Sequence, residues 1–94
     1  MNKSKIKGDI FEREIIHKAE AIGLKAYRNR MSRALEGEHW DISVAGRRAE
    51  CKKLASGFKR IRKWLAPGTD AVICGADREA PLVMLRLDDW LKML

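Results

Sequence analysis

The sequence predicts a single α/β domain of element order α-β-β-β-α-β-β-α, with a mixed five-stranded sheet flanked by helices. Three observations carry that expectation. Apolar residues recur at helical spacing in two separate stretches. Strict alternation of apolar and polar residues marks a hairpin between Trp40 and Leu54. Two short apolar runs then flank a polar turn at Asp77 to Glu79. Ninety-four residues give room for one domain, 1–94. A domain of this size is marginally stable alone, so pairing with a second copy is expected.

In chain order, residues 1–7 carry Lys3, Lys5 and Lys7 and read as a flexible basic arm. From about Gly8 to Ile22 the apolar residues Phe11, Ile15, Ala19 and Ile22 share a helical face, and Gly23 ends the helix. Leu24 to Asn29 reads as a strand, and Arg30 to His39 as a loop without period. Ser56 to Ala66 carries Phe58, Ile61 and Leu65 at helical spacing and is stopped by Pro67-Gly68. Ala71 to Gly75 and Leu82 to Leu87 are the last strands, and Asp88 opens a final short helix that runs to Leu94.

The hairpin places chemistry. With Gly46-Arg47 as a two-residue turn of type II′, Ala45 pairs with Arg48, Ser43 with Glu50 and Asp41 with Lys52. Directly opposed residues share a face, as do residues two apart on one strand. Asp41, Glu50 and Lys52 then converge on one side, while Ile42, Val44, Ala49 and Cys51 turn toward a core. Two neighbouring carboxylates repel unless a positive charge lies between them, and hard oxygen ligands of this kind suit Mg²⁺ or Mn²⁺. Such an ion assists phosphodiester hydrolysis, with a lysine beside it to orient water or stabilise the anionic transition state.

Charge points to the same partner. Twenty Lys and Arg against 13 Asp and Glu leave a net charge of +7, with an isoelectric point near 9.8. That excess favours a polyanion, nucleic acid first and an acidic membrane surface second. Lys59, Arg60, Arg62 and Lys63 cluster in the second helix and, with Lys3, Lys5 and Lys7, are the candidate DNA-backbone contacts. His17 and His39 share no metal-ligand spacing with Cys51 and Cys74, which argues against zinc. The unpaired cysteines fit a reducing cytoplasm, and no apolar run is long enough to span a bilayer. A cytoplasmic protein of phage or prokaryotic type is expected. Trp64, Trp90, Leu91 and Leu94 are large apolar groups for so small a domain, serving either its core or a dimer interface.

Asp41 followed by Glu50-Cys51-Lys52 resembles the PD-(D/E)xK nuclease signature, with Trp40 where the motif's proline stands. Upstream, Lys7-Gly8-Asp9-Ile10-Phe11-Glu12-Arg13-Glu14 is similar to the KGxxxERE segment that opens archaeal-type Holliday junction resolvases. Arg28 and Ser32 fall where that family has an arginine and a serine after its first strand. The resemblance implies a restriction-endonuclease-like fold and a homodimer that resolves four-way DNA junctions by paired nicks with Mg²⁺ or Mn²⁺. It implies Glu12, Asp41 and Glu50 as metal ligands, Lys52 as the catalytic lysine, and Arg28 and Ser32 as aids at the scissile phosphate.

Each assignment has a plainer counterpart. Glu12 stands three residues after Asp9, as in a capping box at a helix start. Asp41, Glu50 and Lys52 form an ordinary cross-strand charge cluster if no metal is bound. Two rival functions remain beside junction resolution: a PD-(D/E)xK nuclease acting on linear DNA, and a catalytically idle nucleic-acid-binding module.

Overall fold

A computed structural model describes residues 3–29 and 40–94. It has the expected element order: α1 (Lys3–Ala21), β1 (Ala26–Arg28), β2 (Ile42–Val44), β3 (Arg47–Ala49), α2 (Lys59–Trp64), β4 (Ala71–Cys74), β5 (Leu82–Leu85) and α3 (Leu87–Met93). The expected single five-stranded sheet is not what the strands form. They make two antiparallel sheets, β1-β2-β3 and β4-β5, in two compact units, Met1–Leu54 and Ala55–Leu94. The second pair is accordingly uncovered: Ile73 is 77% and Leu82 69% exposed, whereas strands inside a large sheet with helices on both faces are covered. No helix among the described residues is long and apolar enough to cross a membrane.

In the first unit α1 packs on β1 and β2. Ile15 and Ala19, four apart on one helical face, are buried, as are Ile42 and Val44 of β2. Arg28, opposite Ile42 in the β1–β2 register, reaches side chains of α1, so the face bearing Ile42 and Val44 is the one that α1 covers. The other face is closed by Trp40. Its ring meets Tyr27 edge-on at 6.3 Å and takes the Arg48 guanidinium over it at 5.8 Å. Tyr27 and Arg48 are the cross-strand neighbours of Ser43, which is why all three residues of β2 are buried.

The β2–β3 hairpin corrects the expected register. Val44 pairs with Arg47, Ser43 with Arg48 and Ile42 with Ala49, so the turn is Ala45-Gly46 rather than Gly46-Arg47. Both turn residues have positive φ, 50° and 81°, as a type I′ turn requires, and that turn's twist matches the strands. The Ala45 N–H is also committed to the Lys25 carbonyl at 2.8 Å, which anchors the turn to the chain leading into β1. The shift is of two residues, so each side chain keeps its face while its opposite number changes. β3 also ends at Ala49, leaving Glu50, Cys51 and Lys52 in the segment after it.

α1 begins at Lys3, not Gly8, so the expected flexible arm is helical from that residue. Gly8 therefore sits inside a helix, with nothing within 4 Å of a Cβ added there. Gly8→Ala is expected to stabilise the protein by about 0.5–1 kcal/mol and to raise its melting temperature by a few degrees. Thermal unfolding followed by circular dichroism reads this, and an unchanged or lower midpoint means that the segment is not helical.

In the second unit, α2 starts three residues later than the sequence suggests, because Gly57 and Phe58 adopt φ of 157° and 59°. Four cations within its six residues also disfavour a longer helix. Its end is held by Arg86, whose guanidinium donates to the carbonyls of Leu65, Ala66 and Thr69, a cation on the acceptor end of a helix. Leu91 of α3 is buried within the chain, which removes it from the expected dimer surface. Trp64 is half exposed.

Candidate active site

Asp41 is the fixed point of the site. Its carbonyl accepts the Asn29 N–H at 2.8 Å and its own N–H donates to the Ala49 carbonyl at 2.8 Å. Ala49 is already opposite Ile42, so two residues face one across the ladder, the pattern of a β-bulge, which takes Asp41 out of simple strand alternation. Its side chain closes a third tie: Oδ2 accepts the Cys51 N–H at 2.7 Å, a short charge-assisted bond. The carboxylate is thereby held against the backbone between Glu50 and Lys52.

Arg28, beside Asp41 across the β1–β2 pairing, connects this segment to α1. Its Nη2 lies 2.8 Å from Asp9 Oδ1 and 3.6 Å from Glu12 Oε2. Asp9 and Glu12 are three apart on one face of α1 and well inside it. That position rules out the capping-box reading, which needs Asp9 at the helix start. Asp9 is the residue that sequence reasoning missed. The signal was its i, i+3 relation to Glu12, visible only once the helix is known to begin before Gly8. Glu12 has the most enclosed of the acidic side chains in these ion pairs, 14% exposed, whereas the Lys52 side chain is 70% exposed. Lys52 Nζ stands 3.2 Å from Glu50 Oε1.

Cys51 lies where the fields of these groups overlap. Burial, then the negative charges of Asp41, Glu12 and Glu50, push its thiol up from 9.0 to about 12. The thiol thus stays protonated when an unfolded chain would ionise, so this contribution to stability is present below pH 9 and declines as pH rises toward 12. Iodoacetamide at pH 9 is expected to alkylate Cys51 roughly a hundredfold more slowly in the native protein than in urea. Mass-spectrometric mapping of the modified thiol checks this; equal rates would contradict the described surroundings.

Glu12, Arg28, Asp41, Glu50 and Lys52 thus form one contiguous patch of the first unit, whereas Ser32 and His39 lie outside the described residues. Lys7 belongs to α1. Lys3 and Lys5 lie in the α1 backbone, with their side chains outside the described residues, and Lys59, Arg60, Arg62 and Lys63 are exposed on α2. Three carboxylates with a protonated thiol among them make a hard donor set, which by chemistry fits Mg²⁺ or Mn²⁺ better than a soft metal. Their arrangement is not a closed shell. Among the described residues no group of three or more His, Cys, Asp or Glu is set to hold an ion, and Glu12 and Glu50 are turned to Arg28 and Lys52.

Compared with known proteins, the chain matches no family model, no curated protein and no solved structure.

Proposed function

We propose that this protein is a metal-dependent DNA endonuclease of the PD-(D/E)xK type, acting as a homodimer that resolves four-way junctions by paired nicks. One observation carries the reading: the Asp41 carboxylate accepts the backbone N–H of Cys51, between Glu50 and Lys52, while the Asp41 backbone carbonyl accepts the N–H of Asn29, next to the Arg28 that meets Glu12. Asp41, Glu12 and Glu50, far apart in sequence and singled out for one chemistry, all bear electrostatically on the Cys51 thiol.

Asp41, Glu50 and Glu12 would hold the divalent ion. When bound, it supplies Lewis-acid stabilisation of the phosphate and a lower pKa for water. Lys52, exposed and paired with Glu50, turns to a non-bridging phosphate oxygen and offsets charge developing there. Arg28, kept in position by Asp9 at 2.8 Å, presents its guanidinium to the same phosphate. Ser32 takes its auxiliary role from the family resemblance alone. The cations of α2, with Lys3, Lys5 and Lys7, grip the DNA backbone without reading bases.

A dimer suits two symmetric strands, which need two sites. The cross-strand pair Ile73 and Val83, which share one exposed face of β4-β5, is an apolar surface that such a dimer would cover.

The test compares a four-way junction with a matched linear duplex, each incubated with the full chain and Mg²⁺ or Mn²⁺. Symmetric paired nicks confined to the junction are expected. Equal cutting of both substrates favours a PD-(D/E)xK nuclease of linear DNA. No cutting of any form with either ion ends the enzyme reading and leaves an idle DNA-binding module.

A further inference from the structure

We infer that the groove between the first half of α1 and Lys53 receives an unpaired nucleobase of the DNA strand being cut. The inference rests on the nuclease reading and deepens it. A cavity of about 290 Å³ is lined by Ile6, Lys7, Ile10, Phe11, Glu14 and Lys53, close to the lower end of small-ligand pockets, roughly 300 Å³. Ile6 and Ile10 leave apolar surface open to water there, Ile10 at 62% exposure. The Lys53 ammonium lies over the Phe11 ring at 4.9 Å, so an aromatic face is available to a planar partner if Lys53 turns aside.

The chemistry of the lining selects the occupant. A base has a π-face that stacks on Phe11 whatever its identity. Its amino or ring N–H groups are donors for the Glu14 carboxylate. Its flanking phosphates are anions for Lys7 and Lys53. An apolar peptide brings no anion for those two lysines. A second copy of this chain, net +7, brings further positive charge to them. DNA answers all three features at once.

Position gives the groove its use. Phe11 immediately precedes Glu12, and Lys53 immediately follows Lys52, so each wall is one residue from a group of the proposed catalytic patch. A base held there fixes the phosphate beside it. Extruding a base is least costly where stacking is already broken, as at the crossing of a branched molecule, so the groove gives this chain a way to select structure without reading sequence.

The experiment places 2-aminopurine beside the crossing of a four-way junction, in the corresponding single strand, and inside a linear duplex. Each is titrated in EDTA with the full chain, with Phe11→Leu and with Ile10→Asp. Ile10 is largely exposed, so its variant keeps the test valid if Phe11→Leu unfolds; circular dichroism checks both. A fluorescence change on the junction and single strand but not the duplex is expected. Both variants should lose that change and bind the junction roughly tenfold more weakly or worse. Wild-type affinity and signal in both variants overturn the inference. So does a shift in sedimentation with DNA affinity unchanged, which assigns the groove to a second copy. Junction cutting by the same wild-type preparation in Mg²⁺ is scored separately: its absence counts against the nuclease reading, whereas unaltered variants beside active wild type count against the groove alone.

Discussion

Asp41→Asn is expected to lower metal-dependent junction cleavage by roughly a thousandfold or more, while the protein remains folded and still binds DNA. The magnitude follows from the role. Losing a partner that merely orients a metal ligand costs about 10–100-fold, and losing a single donor to developing charge about 100–1000-fold, so loss of a ligand charge exceeds the first and reaches at least the second. Asparagine is the informative replacement because its side-chain oxygen still accepts the Cys51 N–H that Asp41 accepts at 2.7 Å. The bulge and the Cys51 segment therefore survive, and only the negative charge is removed. Single-turnover cleavage with Mg²⁺, alongside a gel-shift titration in EDTA, separates chemistry from binding. Cleavage within a few-fold of wild type would show that Asp41 serves structure alone.

Ile42→Ala is expected to have the largest effect on stability, a loss of about 2–5 kcal/mol. Ile42 is 1% exposed and among the largest fully buried side chains, at the centre of the three-stranded sheet between Arg28 and Ala49. Whole domains are stable by only about 5–15 kcal/mol, and small ones lie at the low end. The variant should melt roughly 10–30 °C lower or be unfolded at room temperature, and Ile42→Val should lose about 0.5–1.5 kcal/mol. Activity should fall with the fold, because Asp41 and Arg28 are positioned by residues on either side of Ile42. Thermal melts of the two variants measure this. A drop of only a few degrees for alanine would mean that β2 is not the core strand.

Much of this was legible in the residues. Element order follows from local signals: the spacing of Ile15 and Ala19, the alternation through Ile42 and Val44, and the stop at Pro67-Gly68. Pairing was less legible, because turn chemistry at Ala45-Gly46-Arg47 permits two registers, and the choice depends on the Lys25 carbonyl, contributed by a distant segment. The association of strands into one sheet or two has no local signal at all. Sequence also located the start of α1 too late, since a glycine within a helix resembles a boundary, and that error hid Asp9 as the partner of Arg28. The approach of Asp41 to the Glu50–Lys52 segment was expected on an incorrect pairing, whereas Glu12 was placed there by the family resemblance alone. The contact of Asp41 with the Cys51 N–H survives the register change because the bulge redirects the Asp41 side chain.

Mn²⁺ binding, followed by paramagnetic broadening of backbone amide signals in the full chain, addresses the proposed metal centre. One ion per chain should selectively broaden the amides of Glu12, Asp41, Glu50 and Cys51, and Asp41→Asn should weaken that effect at least tenfold. Broadening spread over exposed carboxylates elsewhere, or unchanged in the Asp41 variant, would contradict a divalent-cation site at this end of the sheet.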